Sequence, residues 1–181
     1  MSPRHIPNLI TLLRILLVAP VVRLMLEGDF TWALLWFAVA GVSDGVDGFL
    51  AKHYGWQSRL GSYLDPLADK LLLVSCFVAA SYLGLLPVWL STLVVARDLV
   101  IVAGATAYYL LAHPFEGDPH WLSKVNTFLQ LVLILAVLLQ QVWPRLEPVW
   151  QPLLVILVSA STAGSGLWYV WTWGRRYWLG K

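Results

Sequence analysis

Four aspartates are the residues of this sequence best placed to do chemistry. They fall in two runs, Ser43-Asp44-Gly45-Val46-Asp47-Gly48-Phe49-Leu50-Ala51-Lys52 and Gly61-Ser62-Tyr63-Leu64-Asp65-Pro66-Leu67-Ala68-Asp69-Lys70. Asp44 and Asp47 are three apart, and Asp65 and Asp69 are four apart, so each pair shares one face of a helix. The short connector between the runs predicts antiparallel neighbouring helices, with the four carboxylates converging near the cytoplasmic membrane surface. Unpaired carboxylates there repel one another and resist desolvation. Divalent cations relieve both problems, and hard oxygen ligands suit Mg²⁺, Mn²⁺ or Ca²⁺. Two close metals could share bridging carboxylates. The purely structural alternative pairs these aspartates with Lys52, Lys70, Arg14 and Arg97, although ordinary pairing does not require four carboxylates at these spacings. Gly45, Gly48 and Gly61 either admit a ligand close to the backbone or serve helix packing.

The elements that position these residues follow from composition. Residues of the AVILMFWYC set make up 59% of the 181-residue chain and charged residues 12%. Soluble domains run at about 45–50% apolar, glycine included, and about 25% charged. A compact soluble domain of this size has too little interior for so much apolar surface. An ordinary cytosolic enzyme, a disordered tail and a free nucleic-acid binder are therefore excluded. Apolar stretches cover about 7–26, 31–52, 63–83, 87–112, 122–142 and 149–173. Each has the ~20 residues that a helix needs to cross the hydrocarbon core. The runs are continuous rather than alternating, which argues against a β-barrel. The expected architecture is an all-α polytopic membrane protein with six transmembrane helices and a single domain over residues 1–181.

Charges sort by side. Arg4, Lys52, Arg59, Lys124, Arg175, Arg176 and Lys181 fall on one set of connectors and termini, whereas Glu27, Asp29, Arg145 and Glu147 fall on the other. The positive-inside rule then places both termini in the cytoplasm. No small-residue cleavage pattern follows the first apolar run, and Arg14 and Arg23 interrupt it, so it reads as a retained span. The single Cys76 lies in an apolar run and reads as a buried packing residue.

The acidic window resembles the signature of the class I CDP-alcohol phosphatidyltransferases, D-x-x-D-G-x-x-A-R-x₈-G-x-x-x-D-x-x-x-D. Asp44, Asp47, Gly48, Ala51, Gly61, Asp65 and Asp69 fit it at every spacing. Lys52 stands where the family usually has Arg, which keeps the charge and loses the planar fork. Ile6-Pro7-Asn8-Leu9-Ile10-Thr11-Leu12-Leu13-Arg14 looks like the opening of the phosphatidylglycerophosphate synthase and cardiolipin synthase branches. Ala96-Arg97-Asp98 resembles a later family segment. Leu122-Ser123-Lys124-Val125-Asn126-Thr127 is more similar to cardiolipin synthases of the mitochondrial type.

The resemblance implies the family fold, CDP-diacylglycerol as donor, and two divalent cations, Mg²⁺ or Mn²⁺. It assigns Asp44, Asp47, Asp65 and Asp69 to metal binding, and Asp69 also to the base that deprotonates the acceptor hydroxyl. Asn8, Gly48, Lys52 and Gly61 would contact the CDP moiety. Arg59, Arg97, Lys124 and Asn126 are the expected acceptor pocket. The expected acceptor is phosphatidylglycerol, giving cardiolipin and CMP. A glycerol 3-phosphate acceptor would give phosphatidylglycerophosphate, but its dianionic phosphate favours more cations than this site offers. The remaining expectations are membrane-lipid contacts, a homodimer, no nucleic acid, and a bacterial inner membrane. A small cation transporter is the reading from another class, because intramembrane carboxylates often mark ion pathways. Against it, the aspartates crowd toward one membrane face. Arg97 beside Asp98 could also be an internal pair, and Arg14 could neutralise the cluster without touching substrate.

Overall fold

The computed structural model describes residues 6–54, 59–112, 121–145 and 148–179; side chains are described for 9–43, 54, 65–104, 121–145 and 149–172. Among the described residues the chain forms α1 (Ile6–Glu27), α2 (Phe30–His53), α3 (Arg59–Tyr82), α4 (Val88–Ala112), α5 (Trp121–Val142) and α6 (Gln151–Leu179). A 3₁₀ turn, Pro148–Trp150, leads into α6. The all-α expectation and the helix order agree with this. Two boundaries shift: α3 begins earlier than the apolar run, at Arg59, and α6 runs on to Leu179. Polar helix ends extend beyond the apolar segment because the backbone ladder does not depend on hydropathy.

The expectation of six transmembrane helices is corrected. Among the described residues three segments are long and apolar enough to cross a membrane: Leu9–Glu27, Trp121–Val142 and Gln151–Thr172. The described apolar part of α2 is only Phe30–Ser43. The first half of α3 carries Arg59, Asp65, Asp69 and Lys70, and α4 carries Arg97 and Asp98 along its length. The charges on α3 interrupt the continuous apolar run that a lipid-crossing helix requires.

Local sequence explains where the helices stop. Gly28 has φ +82°, its N–H donates to the Met25 carbonyl at 3.2 Å, and the Asp29 N–H donates to Leu24 at 2.9 Å. This is a Schellman closure of α1, and the left-handed residue is a glycine for steric reasons. The Asp29 carbonyl then accepts the Ala33 N–H at 3.0 Å and starts α2. The same device ends α3, where Gly84 has φ +72°, Gly84 bonds Ser81 at 3.1 Å, and Leu85 bonds Ala80 at 2.9 Å. Pro87 follows and accepts from Leu90 as α4 begins. Pro144 lies just beyond α5.

The chain divides into two compact units. The first comprises Met1–Leu86 with Ile134–Glu147. In it α1 packs against both α2 and α3. Its interior includes Val21, Met25, Ala33, Phe37, Leu72, Phe77 and the fully buried Cys76, as the sequence suggests. The second comprises Pro87–Leu133 with Pro148–Lys181, where α4 packs against α6. Leu90, Val94 and Val158 are buried there. Large apolar side chains stay exposed on several helices, Leu9, Leu12, Leu13 and Leu16 on α1 and Leu153 and Ile156 on α6 among them. A bilayer, not water, is the solvent that suits such surfaces.

Candidate active site

In the first unit, α1 presents Thr11 and Arg14 to the second aspartate pair. The Thr11 hydroxyl donates to Asp65 Oδ1. Arg14 Nη1 donates to Asp69 Oδ1 at 2.5 Å in an ion pair. Both contacts ascend together, Thr11 with Asp65 and Arg14 with Asp69, so α1 and α3 run in the same direction here. Spacing creates the match: residues three apart on α1 meet residues four apart on α3. Pro66 lies inside α3 next to Asp65, where its missing N–H withholds one ladder bond from the same turn.

Burial is uneven across this contact. The Arg14 side chain is fully buried, whereas the Asp69 side chain is 36% exposed. Asp65 is half-buried. Asp69 therefore keeps access to a ligand while a buried cation anchors one of its oxygens. The Thr11 hydroxyl beside Asp65 orients that carboxylate in the way outer partners orient metal ligands. Carboxylate oxygens with a hydroxyl at their back suit a hard cation. Among the described residues no cluster of three or more His, Cys, Asp or Glu side chains forms. The other expected ligands, Asp44 and Asp47, lie on α2, and their side chains fall outside the described residues. The same holds for the expected CDP contacts Asn8, Gly48, Lys52 and Gly61, and for Arg59.

In the second unit a polar cluster joins α4, α5 and α6. Arg97 is 5% exposed and Asp98 8% exposed. Arg97 Nη1 donates to Asp98 Oδ1 at 2.7 Å, Nε to the Ser165 hydroxyl at 3.0 Å, and Nη2 to the Ser123 hydroxyl at 2.7 Å. The internal Arg97–Asp98 pair is thus present, and the guanidinium also ties the start of α5 to α6. Arg97 crosses α6 at Gly166, where a Cβ would meet Arg97 Cγ at 3.4 Å. One turn from Ser123, the buried Asn126 accepts from the Ser161 and Thr162 hydroxyls at 2.9 and 2.7 Å. Lys124 is exposed beside this cluster.

The structure thus brings Asp65 and Asp69 together in one unit, and Arg97 and Asn126 into one polar network in the other. Sequence reasoning did not single out Ser161, Thr162, Ser165 or Gln130. The signal was a run of small hydroxyl residues and glycine, Ser159 to Gly166, inside an otherwise apolar span. Thr11 was legible only as part of a motif, because its partner lies far along the chain.

Comparison with known proteins identifies the fold family of these elements. The sequence model of the CDP-alcohol phosphatidyltransferase family matches residues 4–171. The chain is 35% identical over 191 aligned residues to the CMP-forming cardiolipin synthase of Rattus norvegicus, covering 97% of this chain and 63% of that protein. It is 36% identical to the chloroplastic CDP-diacylglycerol–glycerol-3-phosphate 3-phosphatidyltransferase 1 of Oryza sativa, covering 91% of this chain and 57% of the relative. It is 34% identical to a probable phosphatidylglycerophosphate synthase of Mycobacterium tuberculosis, covering 72% and 64%. The chain spans less than two thirds of the length of each of these relatives.

Proposed function

The chain belongs to the CDP-alcohol phosphatidyltransferase family, and from that premise we propose that it transfers a phosphatidyl group from CDP-diacylglycerol to phosphatidylglycerol, giving cardiolipin and CMP. The observation that carries this reading is the likeness to a CMP-forming cardiolipin synthase along 97% of the chain. Residues 1–181 then form one phosphatidyltransferase domain. It sits in a membrane, a bacterial plasma membrane in this reading, with the Asp-rich helix ends on the cytoplasmic side to which the positive-inside rule assigns Lys52, Arg59, Lys124, Arg175 and Arg176.

Asp44, Asp47, Asp65 and Asp69 would hold two divalent cations, Mg²⁺ or Mn²⁺, and their oxygen donors suit either ion. When bound, such cations supply electrophilic stabilisation of pyrophosphate charge. Gly48 and Gly61 leave room for the CDP moiety, and Asn8 and Lys52 supply it with a polar and a cationic contact. Asp69 takes the proton from the acceptor hydroxyl. That oxygen bonds to the phosphorus bearing the diacylglycerol, the bond from that phosphorus to the bridging oxygen breaks, and CMP leaves. Arg14 anchors Asp69 during this proton transfer, supported by their ion pair. Arg59, Arg97, Lys124 and Asn126 receive the acceptor. Arg97 has N–H groups beyond the three bonds it already makes. The assembly works as a homodimer in this reading.

Transfer to glycerol 3-phosphate is the second reading, supported by the likeness to the plant and mycobacterial relatives. Purified protein given labelled CDP-diacylglycerol, Mg²⁺ or Mn²⁺, and each acceptor in turn separates the two. Labelled cardiolipin is the expected product. Phosphatidylglycerophosphate alone would transfer the assignment to the second reading, and no CMP release with either acceptor would overturn both.

A further inference from the structure

A trough opens along the packed pair α1 and α3. Its cavity volume is about 1030 Å³, at the upper end of the range for ligand sites. Ile15, Val22 and Leu26 line one wall, and Leu71, Val74 and Val78 line the other. Their helical spacing keeps each set on one face. From Leu71 to Tyr82, α3 carries no charge. Ile15 and Leu71 follow closely on Arg14 and Asp69 in sequence, so the trough opens on other helix faces than that ion pair. The far end is polar, where Arg23, Glu27 and Tyr82 form the mouth. Arg23 Nε donates to Glu27 Oε1 at 2.8 Å, in a pair whose side chains are 77% and 48% exposed. Tyr82 is also exposed. Helix rise from Ile15 to Glu27 gives the trough a length of roughly 18 Å, a little more than half of the ~30 Å hydrocarbon core.

We propose that this trough binds a phospholipid with an ethanolamine-type headgroup, its acyl chains between α1 and α3, its phosphate at Arg23 and its primary ammonium at Glu27. The site is separate from the candidate active site and goes beyond the proposed reaction. Apolar walls with a polar mouth match the lipid's own division into chains and head. The level of the mouth agrees. The apolar span of α1 ends at Glu27, and tyrosine is a residue type that settles at the membrane interface. Charge selects the headgroup. The bond to Glu27 uses Arg23 Nε and leaves the two Nη nitrogens for a phosphate. Glu27 and the exposed Asp29 outweigh Arg23, so the mouth disfavours an anionic head and favours an ammonium. A primary ammonium donates hydrogen bonds to a carboxylate, whereas a quaternary one has no N–H to donate. A protein helix packed into the trough would desolvate the Arg23–Glu27 pair. A lipid head leaves that pair at the hydrated interface.

The test follows thermal unfolding in detergent as phosphatidylethanolamine, or phosphatidylcholine with the same chains, is added. A ligand that binds only the folded protein raises the midpoint. The ethanolamine lipid is expected to reach half its effect at about fivefold lower concentration, a charge-assisted hydrogen bond weakened by exposure. Glu27→Gln keeps the side-chain shape and removes the charge. It is expected to bring the two lipids within about twofold of each other, with the lipid-free midpoint little changed because an exposed ion pair contributes little. Ala19 and Val78 also line the trough, and both are exposed. The double variant Ala19→Phe, Val78→Phe fills the trough and is expected to weaken the response to both lipids by about tenfold. Equal half-effects for the two lipids on the unaltered protein would mean annular lipid only and overturn the inference. So would a preference that survives Glu27→Gln, or a filled trough that responds as the unaltered protein does. None of these outcomes depends on CMP release, so the inference and the proposed reaction stand or fall separately.

Discussion

Asp69 and Arg14 share one short contact but differ in what they can tolerate. Asp69 is partly exposed and Arg14 fully buried. Asp69→Asn keeps the shape and a polar contact to Arg14 but loses the proton acceptor. CMP release is expected to fall at least a hundredfold, the lower range of a general-base contribution, and the thermal midpoint to fall too, because the buried Arg14 loses its ionic partner. Activity intact in that variant would sink the base assignment. Arg14→Met removes a buried charge and leaves Asp69 able to be hydrated at its exposed side. Removing one partner of a buried pair destabilises by leaving the other charge unpaired, and hydration of the 36%-exposed Asp69 softens that cost. The expected result is a modest fall in the thermal midpoint and a clear drop in turnover, read by thermal unfolding in detergent and by CMP release. At this scale the sequence was informative about Asp65 and Asp69, because their spacing alone puts them on one face. It raised Arg14 as a neutralising partner of the cluster without saying which aspartate it meets, and it did not raise Thr11 as the partner of Asp65, more than fifty positions away. Arg97 shows the same division. Its neighbour Asp98 was visible in the sequence, while Ser123 and Ser165, its other partners, come from two different helices.

Two helices, α1 and α3, are ended by glycines in a left-handed conformation, Gly28 and Gly84. Gly84 has φ +72°, and a Cβ built there meets nothing within 4 Å, so the cost of Gly84→Ala is one of backbone conformation alone. About 1 kcal/mol of destabilisation is expected. Gly41 also has open space around a Cβ but lies inside α2 with no positive φ. Gly41→Ala is expected to stabilise by roughly 0.4–1 kcal/mol. Thermal unfolding of the two variants in the same detergent should shift in opposite directions. The helix order was legible because continuous apolar runs bounded by Gly, Pro and Asp carry both the length and the stop signals. Membrane crossing was not, because apolar content was read over whole helices. The charges on α3 sit within that helix and break the uninterrupted run that lipid demands.

The whole chain has two kinds of surface, interiors closed by helix packing and broad apolar faces left open on α1 and α6. Open apolar faces of that extent predict that the protein stays with the membrane through an alkaline carbonate wash and leaves it only in detergent. Release by carbonate would contradict the span assignments for α1, α5 and α6. The candidate site residues divide between the two compact units: Asp65 and Asp69 in the first, the Arg97 and Asn126 network in the second. The sequence by itself determined the all-α class, the helix order, the aspartate spacing and the family, because these depend on residue type and short-range periodicity. Tertiary structure alone decided that Arg14 is buried against Asp69 in particular, and that Arg97 links α4, α5 and α6. Those facts depend on which distant helices meet and at what register, and no periodicity along one helix encodes its neighbour.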